Sequence, residues 1–295
     1  MKKVFYYGIF IVLFFILSAC DSNSPNVDDP EVPEQWSVGF LSRPVSEPIH
    51  IYMESNVKIS NKSFKDMEVV AVIIESCDNV EITECDFSNV VGGIFILNCT
   101  NVTITWNRFS NIGDGTIGSG HSNYIQLNKS FGGYIAFNKG KDGDTEDMIS
   151  IYMSGGNSEK DPLIIEYNHF ESGNWKSDSG SGIMLGDAGG QYIVARYNKL
   201  LSPGQVGIGI ASGVGISLIG NTVYGEKRSN SNVGMYMWNQ YDTPIGDIEI
   251  SGNEVRWYSE DGSENPYWNG EDFTPKEKNN NWHARLDPKK LRVNL

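Results

Sequence analysis

Proton transfer needs titratable groups crowded enough to push their pKa values apart. In this chain His121, Asp144, Glu146 and Asp147 stand close together, with Asp187 further along. Crowded carboxylates raise one another's pKa, so one can stay protonated as a general acid while another remains a base. Hydrolysis of a glycosidic bond requires such a pair. The oxygens of Asp144, Glu146 and Asp147 have a second use, as ligands of calcium, a hard cation that takes several carboxylate and carbonyl groups. The reaction would then be β-elimination on a uronate, with His121 or Tyr124 removing the C5 proton while the metal neutralises the substrate carboxylate. No spacing of cysteine and histidine suits zinc.

The chain that must position these groups repeats. Short alternating apolar segments recur, among them Ile49-His50-Ile51, Val72-Ile73-Ile74, Ile94-Phe95-Ile96, Ile149-Ser150-Ile151 and Met235-Tyr236-Met237, at steps of 22 to 34 residues. A second segment follows each and ends in Asn at positions 107, 138, 168, 198, 221 and 253. Two period-2 strands per repeat are what a parallel β-solenoid needs, because each coil stacks its inward side chains on like ones about 4.8 Å away. The expected fold is all-β, a parallel β-helix of about eight coils with capped ends. The recurring Asn is expected to form an internal ladder, its amide bonding the turn backbone and its copy in the next coil. Cys77 and Cys99 fall at the same point of adjacent coils, where they are expected to stack rather than bond, because an in-register ladder does not aim two sulfurs at each other.

Coils such as residues 78–87, 101–109 and 246–255 resemble right-handed parallel β-helix repeats of the pectate-lyase-like superfold, over roughly residues 49–255. That resemblance implies the fold but no single chemistry, since the superfold hosts lyases, hydrolases, epimerases and non-catalytic surface proteins. Gly143-Asp144-Thr145-Glu146-Asp147 resembles in part the Gly-Asp-Asp of polygalacturonase-type hydrolases, but Gly120-His121 comes one coil earlier rather than later and no Arg-Ile-Lys follows. That mechanism is not carried over. Pectate lyases use an arginine base; the nearest candidate, Arg196, falls level with Glu166 and is expected to form a cross-coil ion pair.

Insertions in a solenoid become arms that wall a groove, and here they are 110–123, 139–147, 154–161, 171–181 and 224–232. Strict alternation turns Tyr124, Gln126, Tyr152, Tyr236 and Trp238 outward between them, with Gln205 in the row of Glu146. Flat rings beside glycines 207 and 209 suit an extended sugar chain, and Trp238-Asn239-Gln240-Tyr241 is the segment best placed to hold one.

Residues 1–19 are a targeting segment, with Lys2-Lys3 before an apolar stretch and a Leu17-Ser18-Ala19-Cys20 ending that resembles the lipobox of bacterial lipoproteins. The resemblance implies lipid attachment to Cys20, and the acids that follow are similar to surface-export signals of Bacteroidetes-type lipoproteins. An exported protein of the outer membrane or cell surface is expected. Residues 20–34 read as an acidic tether, 35–48 as an N-terminal cap, 49–255 as the β-helix and 256–295 as a C-terminal cap. A net charge of −14 without a basic cluster argues against nucleic acid. The expected partner is a polysaccharide or other glycan, met by a monomer. Cleavage of that polymer is the leading expectation, and a non-catalytic glycan-binding or adhesive β-helix the alternative.

Overall fold

The computed structural model describes residues 43–113, 122–172 and 180–295. They form a parallel β-helix with three faces. The first face begins with Ile49–Tyr52 and continues through Ile125–Asn128, Val206–Ile210 and Val233–Met237. Lys58–Ser60, Asp78–Thr83, Thr100–Thr105 and Leu163–Glu166 belong to the second, and Arg108–Ile112, Lys139–Gly143 and His169–Ser172 to the third. Along the first face Val72, Ile94, Ile125, Ile149, Ile183, Ile208 and Met235 pair in register, each at most 1% exposed. Every such β-branched or long apolar side chain contributes about 1.5–3 kcal/mol by burial, so a one-residue slip would turn the whole set outward.

The Asn ladder forms as expected. At each turn from second to third face the residue before the Asn is left-handed: Trp106, Phe137, Tyr167 and Tyr197 have φ of 60, 57, 52 and 54°. Such a turn points backbone N–H groups inward, where they need acceptors. Asn168 Oδ1 accepts from the backbone N and Nδ2 of Asn138 at 3.1 and 2.9 Å, while its own Nδ2 donates to Ile135 O and Asn198 Oδ1, both at 3.0 Å. Outside, the four left-handed aromatics stack in a column with ring centroids 4.5, 5.3 and 5.2 Å apart. A second internal ladder uses thiols and hydroxyls: Cys77 N donates to Cys99 Sγ at 3.3 Å, Cys99 N to Ser130 Oγ and Ser130 N to Ser154 Oγ at 3.0 Å. Cys77, Cys85 and Cys99 are free thiols, so the stacked arrangement holds. Arg196 pairs with Glu166 across adjacent coils.

Parallel pairing runs on past residue 255. Tyr267–Asn269 pairs with Met235–Met237, Lys276–Lys278 pairs with Glu249–Ser251, and Asn280 Oδ1 accepts from Asn253 N and Nδ2 at 3.0 Å. The segment expected only as a cap therefore carries one more coil. After it the tail turns back along the third face, where Val293 N donates to Glu171 Oε2 at 2.9 Å and Arg292 pairs with Glu171.

Candidate functional site

The turn that leads into the first face places the candidate carboxylates, and its rows are those expected from the repeat. Glu146 N donates to Ser122 O at 2.9 Å and Asp147 N to Asn123 Oδ1 at 2.7 Å. One coil on, Ser181 N is shared between Glu146 O and Asp147 Oδ1, both at 3.0 Å. Asp187 stands further along the first face, opposite Tyr152, in a β-bulge of Ser181–Arg196. Ser150 pairs with Met184 but Ser154 with Gly190, so the second strand carries two extra residues. Gly186, Ala188 and Gly189 absorb them at φ of 63, 53 and 106°. A Cβ on Gly186 would lie 1.9 Å from Ser212 O, so only glycine fits there.

These groups border a cleft of about 320 Å³. Glu146, Asp147 and Asp187 line it, with Ser181, Gln205, Asn232 and Gln240, and Met184, Tyr236, Trp238, Tyr241 and Trp268 add apolar and aromatic surface. Asp147 is 7% exposed. Burial, then the charges of Glu146 and Asp187, push its carboxyl up to about 8, against the pull of the Ser181 bond. Burial also raises Asp187, while a hydrogen bond from Tyr241 draws it back. Two carboxyls that burial makes harder to ionise therefore face one space. Tyr236 floors it: the ring is 5% exposed and lies where a Cβ on Gly209 would be, 2.6 Å from that position. Its hydroxyl accepts from Gln240 Nε2 at 2.6 Å and donates to Met184 Sδ at 3.4 Å.

Other expected site residues lie elsewhere. Tyr124 is not on the groove; it is fully buried in the core, its ring stacked on Phe109 at 5.2 Å and edge-on to Phe170 at 5.3 Å. The cause is volume. On the third face the aromatic column Phe64, Phe87, Phe109 is interrupted by Gly140, and a Cβ there would lie 2.4 Å from the Tyr124 ring, which fills the gap. The corner position of Tyr124 is small in the two coils before it, Ala71 and Gly93, is filled by buried Met148 in the next coil, and is glycine again at 182 and 207 beyond. Burial pushes the phenol upward, away from use as a base. Tyr124→Phe is accordingly expected to leave turnover unchanged and to shift stability by less than ~1 kcal/mol, measured by denaturant melts beside kinetics.

Gln126 is 8% exposed and accepts from Asn123 Nδ2 at 3.0 Å. Tyr152 is half-buried opposite Asp187 and Asp144 half-buried on the approach to the turn. None of these three lines this cleft. His121 and Cys20 lie outside the described residues. Among the described residues no group of three or more His, Cys, Asp or Glu side chains is placed to hold a metal ion, so no step is routed through calcium.

The site also contains residues that alternation did not find. Trp268 came with the extra coil, whose signal was the 27-residue step from Asn253 to Asn280, within the range of the earlier Asn steps. Ser181 follows from the ladder rows, whereas Met184 is outward by alternation itself.

With the geometry in place, comparison with known families is decisive for the fold. A family model described as the right-handed β-helix region matches residues 47–223. The chain belongs to that family. No curated protein matches it. In this right-handed β-helix the matched residues hold Glu146, Asp147 and Asp187, whereas Trp238, Tyr241 and Trp268 lie in coils beyond the match.

Proposed function

We propose that this β-helix is an exported lipoprotein, anchored through Cys20 at the outer membrane or cell surface, that hydrolyses a glycan in the cleft of its first face. One observation carries the reading: three carboxylates, one of them almost fully buried, border a single cleft walled by aromatic rings. Asp147 holds a proton near neutral pH and would donate it to the glycosidic oxygen as the bond to the anomeric carbon breaks. Asp187 or Glu146 would take a proton from the water that attacks that carbon. Of the two bases expected for elimination, Tyr124 is in the core and His121 lies outside the described residues.

A second reading has its own support. Asp147 Oδ1 accepts from the next coil's backbone as Asn123 Oδ1 does one coil before, so the carboxyl also serves the turn ladder, as it would in a protein that only binds glycan. The test is incubation of the purified protein with neutral and uronic polysaccharides, with added calcium and with chelator. New reducing ends without an unsaturated uronate chromophore are the expected result. The chromophore would replace hydrolysis by elimination, chelator sensitivity would restore calcium, and retarded migration in a polymer without cleavage would leave the binding reading.

A further inference from the structure

The two exposed tryptophans of the cleft stand on the same turn built twice. In Trp238-Asn239 the Asn239 Nδ2 donates to Thr243 O at 2.7 Å, and in Trp268-Asn269 the Asn269 Nδ2 donates to Phe273 O at 2.9 Å. Both asparagines also accept at Oδ1 from the backbone N two residues on, Tyr241 at 3.3 Å and Glu271 at 2.8 Å. Trp238 N donates to Ile210 O, and Gly270 N to Met237 O, so each turn is tied to the coil before it. A Cβ on Gly270 would lie 2.8 Å from the Trp268 ring and 3.0 Å from Trp238, so glycine there leaves room for both indoles. They meet edge to face, 5.8 Å apart at 60°, while remaining 44 and 45% exposed. With Tyr241, also 44% exposed, they gather apolar surface at one rim instead of scattering it.

We propose that this doubled Trp-Asn turn is a preformed stacking platform that selects an uncharged sugar chain for the cleft. The inference rests on the glycan reading above and names its substrate class. Rings held open by edge contact suit the apolar face of a pyranose, and Gln205, Asn232 and Gln240 present neutral amides to its hydroxyls. Among the described lining residues there is no Lys, Arg or His, and the carboxyl groups are Glu146, Asp147 and Asp187. Like charges repel, and more strongly in a cleft than in bulk water, so a uronate is disfavoured where a neutral sugar is not.

Binding, not turnover, is the test. Oligosaccharides of neutral glucan, xylan and mannan, and of galacturonate and mannuronate, are titrated calorimetrically into the wild type, Trp268→Ala, Trp238→Ala and Trp268→Tyr, with melting temperatures checked for each. At least one neutral series is expected to bind, with affinity falling on the order of tenfold or more in either alanine variant and partly recovering in Trp268→Tyr. Uronates binding as tightly as neutral sugars, alanine variants binding like wild type, or no binding by any series would each overturn the platform. Neutral binding without cleavage of any polymer would instead sink hydrolysis and leave the platform standing.

Discussion

Asp147→Asn is expected to cut turnover by about 10²–10⁴-fold while leaving the protein folded, since the asparagine Oδ1 can still accept from Ser181 N. The wild-type rate should fall as pH rises through about 8, where Asp147 gives up its proton, and that limb should be missing from whatever activity the variant retains. Stability provides a second readout that does not depend on catalysis. Burial and two neighbouring acids lift this carboxyl from its ordinary 3.8 to about 8 in the folded protein. Between those values the folded state keeps a proton that the unfolded chain has released, so this group's contribution to stability declines as pH rises from about 4 to about 8 and is level above. The variant lacks that decline. Its melting temperature should therefore gain on the wild type as pH increases from 5 to 8, by about 2–4 °C for each kcal/mol of relief. A variant with wild-type turnover would remove Asp147 as the acid; parallel melting curves across that range would show that its carboxyl ionises in the folded state much as in the unfolded chain.

Asn168→Ala should produce the largest loss of stability. The side chain is fully buried, and its removal takes the acceptor from Asn138 N and Nδ2 and the donor from Ile135 O and Asn198 Oδ1. Each buried polar group left without a partner costs roughly 1–3 kcal/mol, so a loss of at least ~3 kcal/mol is expected, read from denaturant melts. At about 2–4 °C per kcal/mol the melting temperature should drop by roughly 6–12 °C or more. Asn168→Asp should not rescue it, because a carboxylate supplies acceptors but no donor for Ile135 O and would be charged in the core. A loss below ~1 kcal/mol would mean that water or a shifted turn can replace the ladder amide.

Much of the fold and part of the site could be read from residue types and spacing, because in a stacked helix local register becomes spatial adjacency. Period-2 alternation placed the inward isoleucines, the Asn spacing placed the ladder, and counting from them put Glu166 beside Arg196 and Cys77 beside Cys99. Asp147 was found the same way, one ladder step from Asn123. Where alternation failed, the reason was volume or an extra residue. Tyr124 follows the pattern of an outward residue, but the space left by Gly140 lies inside, and burying a ring in an existing gap costs less than leaving it empty.

By itself, then, the amino-acid order determined a parallel β-helix with an internal amide ladder and an acidic turn on its first face, since all of these depend on intervals along the chain. Only the tertiary structure decided which acids share a cleft. Asp187 enters through a bulge that no spacing rule anticipates, Asp144 stays off the cleft although it is only three residues from Asp147, and Trp268 joins Trp238 through an additional coil. The physical reason is common to all three: intervals specify stacking between coils, but where a side chain points at a bulge or turn depends on what the neighbouring coils leave unfilled.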